Sequence, residues 1–279
     1  MADPLVSVIL PAHDEARYIG ACLAALLAAE PGGYGAEVIV VANACTDDTV
    51  AVAQGFVQAA TARGWGFRVI NTDAPGKLNA LNLGEAAATG TILVYLDADV
   101  SVSPPLLGQI ADLLDTDAPR YASGQPQVAQ ARSGITRAFA RFWQRLPFVT
   151  QGVPGFGVFA VNAAGRARWG DFPPIISDDT FVRLHFAPEE RIGVPASYNW
   201  PMVEGLHNLV KVRRRQEQGV QQIAERFPEL LQNDDGRRLD ARTLLALSLR
   251  DPAGCAAYML VRLLVRTPFA KEQGWARGR

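Results

Sequence analysis

The sequence predicts an α/β fold: a mostly parallel sheet with helices on both faces, followed by a helical C-terminal part. Two observations predict the sheet. Short apolar runs recur through the first hundred residues, and a segment of helical periodicity separates each from the next. Strands joined through helices pair in parallel, and such a sheet needs both faces covered. A third observation predicts the remainder, because residues 205–226, 240–249 and 253–266 read as helices. A chain of 279 residues buries about three-quarters of its extended surface, enough for one large domain with an appendage. Residues 1–204 are expected to form that domain, its regular half ending near residue 100, and residues 205–279 the extension.

In order, LVSVILP (5–11) is an apolar run ending in proline and reads as a buried strand. Residues 15–29 follow as an amphipathic helix, with Ile19, Leu23, Leu26 and Leu27 on one face. PGGYG (31–35) stops it. AEVIVVA (36–42) is a second strand, and 47–63 a second helix rich in alanine and valine. GFRVI (66–70) is a third strand, 77–88 a third helix and TILVYLDAD (91–99) a fourth strand. The second half is less regular. Residues 103–114 read as a helix with prolines in its first turn, 121–130 as an extended segment and 134–146 as a helix. GFGVFAVN (155–162) reads as a turn and a strand, and a short helix begins at Asp178.

Bulk properties exclude several classes of function. A net charge of −1 leaves no global attraction for nucleic acid. Cys22, Cys45 and Cys255 are too few and scattered for a disulfide framework, so a reducing, cytoplasmic setting is expected. The N-terminal run has no basic region and no cleavage site of the secretory kind. No stretch approaches the roughly 20 apolar residues of a spanning helix.

The chemistry gathers where strands end, the edge at which open α/β sheets bind ligands. Asp97 and Asp99 close the fourth strand, and strand alternation is expected to put both carboxylates on one side. Two hard oxygen donors suit Mg²⁺ or Mn²⁺, which keep waters and share a substrate's phosphates. Aspartate is also at home in a solvated turn. After the first strand comes Pro11-Ala12-His13-Asp14-Glu15, with no glycine-rich turn. That argues against a nicotinamide or flavin enzyme and against nucleotidyl transfer. After the second strand, Asn43 is placed to read a base edge, and Thr46 or Asp47 to cap the next helix. After the third, Lys77 starts a helix as a point charge for a diphosphate, with Asn79 and Asn82 on one face behind it.

Together these motifs resemble family 2 glycosyltransferases of the GT-A fold, a Rossmann-like sheet flanked by helices. PAHDE resembles the family's first-strand motif, NACTDDT its DGSxDxT, GKLNALNLG its KxxALNxG and LDAD its DxD, in matching order over residues 8–99. The resemblance implies that residues 1–100 form a nucleotide-binding half and 101–204 an acceptor-side half. It implies nucleotide-sugar contacts from Pro11, His13, Glu15, Asn43, Lys77, Asn82 and Asp97, and a metal on Asp97 and Asp99. Ser177-Asp178-Asp179 resembles the segment that carries the catalytic base, which maps that role to Asp179 with Asp178 beside it. Gly155-Phe156-Gly157 resembles the acceptor-side turn. Arg213 to Gln216 resembles a degenerate basic segment over the diphosphate, with Arg213 and Arg214 as its contacts. Asn43 stands where the family has an aspartate that reads uracil, so a UDP-sugar is favoured rather than fixed.

The implied reaction is inverting transfer of a sugar to an acceptor hydroxyl, on a saccharide or a lipid-linked acceptor. One carboxylate takes the hydroxyl proton from the face opposite the leaving group. His207 is a candidate third metal ligand, although a lone helical histidine is more often packed or exposed. The large aromatics read as core, with Trp143 and Trp169 as candidate sugar platforms. The segment 255–266 sets Arg262 and Arg266 on one face of an apolar helix, and residues 262–279 hold five basic residues against one acid. That pattern suits either an anionic membrane surface or a helix docked on the main domain. A catalytically silent scaffold is the rival from another class, against which the acidic residues argue.

Overall fold

The computed structural model describes residues 5–30, 32–235 and 239–269. The expected last residues of the basic tail, 270–279, lie outside them. The first half alternates as the periodicity requires: β1 (Leu5–Ala12), α1 (Ile19–Leu27), β2 (Gly35–Asn43), α2 (Thr49–Gln54), α3 (Val57–Ala62), β3 (Gly66–Thr72), α4 (Lys77–Ala87) and β4 (Ile92–Leu96). The expected single helix over 47–63 is two, broken around Gly55. The second half contains β5 (Ser101–Val102), α5 (Leu106–Leu114), β6 (Tyr121–Val128), α6 (Gly134–Trp143), α7 (Pro147–Thr150), β7 (Val158–Asn162), α8 (Ala163–Arg166), α9 (Asp178–Leu184) and β8 (Arg191–Trp200). Three further helices follow: α10 (Leu206–Arg226), α11 (Ala241–Arg250) and α12 (Pro252–Val265).

One eight-stranded sheet runs through both halves in the order β3-β2-β1-β4-β7-β6-β8-β5. The first four strands are parallel, and β7 enters antiparallel to β4 and to β6. Strand alternation explains why the parallel strands are apolar throughout. Val8, Leu10, Val38 and Val40 face one layer with Leu23 and Leu26 of α1, whereas Ile9 faces the opposite layer with Leu81 of α4 and Tyr95. Burying such side chains on both faces contributes about 1.5–3 kcal/mol each. A third apolar cluster joins Phe139, Phe142 and Trp143 of α6 to Leu209 of α10, Leu247 of α11 and Val261 of α12.

Strand β8 carries no clear sequence signal. Its burial alternates, but Gly193, Pro195 and Ser197 interrupt the apolar pattern. The ladder explains this, because Ser123 of β6 faces Gly193 while Gln125 faces Ser197. Residues 194–196 therefore bulge, and Pro195 sits where no ladder hydrogen bond is required.

The C-terminal helices are tied down by two arginines. Arg141 grips the buried Asp251 with two 2.7 Å hydrogen bonds and, with the Gly254 amide, holds its carboxyl low, at about 2. Arg214 donates to the carbonyls of Leu264, Val265, Thr267 and Phe269, which satisfies the open C-terminal end of α12.

Candidate active site

The loops after β1 and β2 lock together before they offer anything to a ligand. The Asp14 carboxylate accepts from the Thr46 amide at 2.7 Å, and the Asp47 carboxylate accepts from the Ala16 amide at 3.1 Å and the Thr49 amide at 3.0 Å. Asp14 and Ala44 take left-handed backbone conformations, φ 52° and 48°. For alanine this conformation costs about 1–2 kcal/mol, and the motif that NACTDDT resembles has glycine there. Ala44→Gly is therefore expected to raise stability by about 1 kcal/mol, read as a rise of about 2–4 °C in a thermal melt. An unchanged or lower melting temperature would show that the turn is not strained.

Asn43 is turned inward. Its side chain is buried, its amide donates to the Ala12 carbonyl at 2.8 Å and its oxygen accepts from the Gly76 amide at 3.1 Å. Its amide thus staples three loops together. His13 bonds the Asn43 carbonyl through Nδ1 at 2.7 Å and belongs to the same brace. With Asp14 and Cys45 it forms a trio whose ligand atoms lie within 4.8 Å of one another. The Glu15 amide donates to the Thr49 hydroxyl oxygen at 2.7 Å, and Glu15, like His13, is not on the cavity wall. The Asn82 amide pairs with both backbone groups of Phe172 at 2.8 and 3.3 Å.

The expected strand over 91–99 ends at Leu96, so alternation does not place the two acids. Residues 97–100 form a turn closed by the Val100 amide on the Asp97 carbonyl at 3.1 Å. The Asp97 amide bonds the Gly157 carbonyl at 2.8 Å. Gly157 has φ 83°, and a Cβ there would strike Trp200 and Val100, so glycine is required for the turn to reach this close. Ala98 and Val100 are buried while Asp97 and Asp99 are half-buried on the cavity wall. The two acids therefore line one cavity, through a turn rather than a pleat.

Lys77 stands between two acids, 2.8 Å from Asp97 and 2.9 Å from Asp178. Burial pulls its pKa down, but Asp178 and Asp97 outweigh it and leave the ammonium firmly protonated. Asp178 and Asp179 open α9, yet the Ser177 side chain makes no cap bond. Burial, then repulsion from Asp178, pushes Asp179 up to about 6 against the pull of Lys77. The long helix α10 crosses over this N-terminus. Gly219 packs on Ser177, where a Cβ would clash, and Gln222 accepts from the Ile176 amide at 2.9 Å.

Two cavities meet at this point. The first is lined by Pro11, Lys77, Asp97, Asp99, Asp178 and Arg215. The second is lined by the aromatics Trp143 and Phe148 with Arg183. Asp179, Arg213, Phe156 and Trp200 stand on the wall between them and line both. Arg213 lies over the rings of Phe139 and Trp143, 5.1 and 4.8 Å from their centres, and bonds Gln216 at 2.9 Å. Burial pulls its pKa down to about 10, and its buried Nη2 finds no hydrogen-bond partner among the described residues. A buried, unmatched guanidinium donor of this kind fits an anionic or polyhydroxylated ligand.

Of the basic segment, Arg213 and Arg215 reach the site and Arg214 does not. Leu209, Val212, Arg213 and Gln216 recur at helical spacing on the cavity side, which leaves Arg214 on the side that caps α12. That periodicity was the signal for Arg215, whose charge faces Asp178, Asp97 and Asp179. His207 is exposed, lies 6.0 Å from the Phe269 ring and is not on the wall with Asp97 and Asp99. Trp143 stands at a cavity, whereas Trp169 is buried in the core against Arg166. Two carboxylate donors with room for phosphate and water match what Mg²⁺ or Mn²⁺ asks of a protein.

The family model described as glycosyl transferase family 2 matches residues 7–168. An uncharacterized glycosyltransferase of Mycobacterium tuberculosis is 38% identical over 129 residues, 46% of this chain and 52% of that protein. A PGL/p-HBAD biosynthesis glycosyltransferase of Mycobacterium bovis is 35% identical over 105 residues, 37% of this chain and 38% of its own length. The chain thus spans about half the length, or less, of these curated relatives. Among solved structures, the mannosyltransferase PcManGT of Pyrobaculum calidifontis, in complex with GDP-Man and Mn²⁺, superposes with a TM-score of 0.57 at 21% identity. The match covers 96% of this chain and 77% of that one. S. aureus TarS 1-349 with UDP gives 0.52 at 14% identity, covering 94% and 91%. At such identities the likeness establishes the fold, a GT-A sheet flanked by helices.

Proposed function

Because this chain belongs to glycosyl transferase family 2, and so is a glycosyltransferase, we propose that it transfers a sugar with inversion from a nucleoside-diphosphate donor, a UDP-sugar first, to an acceptor hydroxyl. One observation carries the reading: Asp179 stands on the wall between a charged cavity and an aromatic one. The charged side suits the donor's diphosphate, and Trp143, Phe148 and Trp200 suit the faces of a saccharide or lipid-linked acceptor. Asp179 takes the acceptor's proton as that oxygen bonds to the anomeric carbon. The bond from that carbon to the diphosphate breaks on the opposite side, and its electron pair leaves with the phosphate. Asp97 and Asp99 would hold Mg²⁺ or Mn²⁺, whose charge offsets that of the leaving diphosphate. Lys77 and Arg215 add fixed positive charge on the same side. Three unpaired thiols fit a reducing, cytoplasmic setting.

The nucleotide is decided by titration. Calorimetry with UDP and then GDP, each with and without Mn²⁺, is expected to give metal-dependent binding, stronger for UDP. Binding of neither would remove the transferase reading for this chain. Asp99→Asn is expected to erase most of the Mn²⁺-dependent gain, roughly tenfold to a hundredfold in affinity, and to leave the metal-free binding unchanged. If the Mn²⁺ gain persists in this variant, the metal is held elsewhere.

A further inference from the structure

The inward faces of α11 and α12 are already satisfied, with Leu247, Ala257, Val261 and Val265 buried against α6 and α10. Their outward faces are apolar nonetheless. Leu249 is 75% exposed, Leu263 63% and Leu245 61%, with Met259, Leu260 and Phe269 also exposed. Ala246, Ala253 and Ala256 fill the same outward side. Folding gives no reason for so many apolar side chains in water, and a patch of this kind marks a surface that something covers.

Within residues 241–269 the exposed charges are of one sign, with the exposed N-cap Asp240 of α11 the carboxylate just before them. Arg242, Arg250, Arg262 and Arg266 are all exposed, whereas over residues 241–269 the single carboxylate, Asp251, is buried beneath Arg141. The chain as a whole carries a net charge of −1, so this basic rim is local and does not follow from composition. A second copy of the chain docked face to face would bring these arginines against one another. A spanning role is excluded by length, since α12 has 14 residues and none of the described helices is long and apolar enough to cross a membrane.

We propose that the outward faces of α11 and α12 form a docking surface for an anionic phospholipid bilayer, with Leu245, Leu249, Met259, Leu260 and Leu263 entering the interface and the four arginines meeting the headgroups. Clamping by Arg141 at one end of α12 and Arg214 at the other presents this surface rigidly. The docking does not depend on the identity of donor or acceptor.

The test is flotation of the full chain with vesicles of phosphatidylcholine alone and of phosphatidylcholine with a quarter phosphatidylglycerol. The protein is expected to float with the anionic vesicles only and to be released as ionic strength rises. Arg262→Gln with Arg266→Gln is expected to weaken binding roughly fivefold for each charge removed. Leu249→Glu with Leu263→Glu is expected to abolish it, with an unchanged thermal melt because both side chains are exposed. Failure of the wild-type chain to float at low ionic strength overturns the proposal, as does normal flotation of the leucine variant. Light scattering that finds a dimer which Leu263→Glu dissociates also overturns it, and assigns the face to a second copy.

Discussion

Asp179→Asn is expected to lower sugar transfer by about 10²–10⁴-fold while leaving nucleoside-diphosphate affinity close to wild type. The amide keeps the shape and the hydrogen bond from the Thr180 amide, 2.7 Å in the parent, but cannot accept the acceptor's proton. The groups facing Asp179 fix the pH dependence. Asp178 and Asp97 disfavour its ionised form, Lys77 favours it, and burial is the largest influence, leaving it at about 6. A base works deprotonated, so kcat/KM is expected to fall as the pH drops through about 6 and to be flat there in the variant. The same group has a cost in stability. Its folded pKa lies above the unfolded value, so stability is greatest below the unfolded pKa and is lost as pH rises through about 6. The variant is therefore expected to melt higher than wild type near pH 8 and equally near pH 4. Transfer at the wild-type rate, with the acid limb intact, would remove Asp179 as the base.

How much of this was legible in the sequence depended on whether a residue's role lies in its own segment. The four parallel strands and the helices between them follow from apolar periods, because each element buries its own repeat. Asp97, Asp99, Lys77 and Asp179 stand at element ends, where local pattern and sheet topology fix position together. The roles of Asn43 and Asn82 are less legible for a physical reason. An amide at a strand end or on a helix face looks identical in sequence whether it meets a ligand or a distant backbone, and here the backbones of Ala12, 31 residues away, and Phe172, 90 residues away, bond them. Arg213, Arg214 and Arg215 form an undivided basic run in sequence, and only the helix that carries them separates two site residues from a cap. Strand β8 stayed hidden because its bulge admits a proline that its pleat would refuse.

Lys77→Met is expected to act in opposite directions on the two ligands of the charged cavity. The Lys77 ammonium stands between Asp97 and Asp178. Removing that positive charge takes away repulsion against a divalent ion on Asp97 and Asp99. Mn²⁺ alone is therefore expected to bind roughly tenfold tighter. The nucleotide loses a partner for its phosphates, so UDP affinity and turnover are expected to fall, each by at least about tenfold. Stability falls as well, since Asp97 and the nearly buried Asp178 lose their contacting counter-ion and keep only Arg215 facing them. Lys77 keeps 32% and Asp97 33% of their side-chain exposure, so the loss lies between that of a surface pair and a buried one, about 2 kcal/mol. Calorimetry with Mn²⁺ and with UDP, on the same variant, separates these effects. Tighter metal with weaker nucleotide identifies Lys77 as the cation that holds the two carboxylates ready for the donor complex. Weakening of both would make Lys77 a purely structural counter-ion and leave the diphosphate's charge to Arg215.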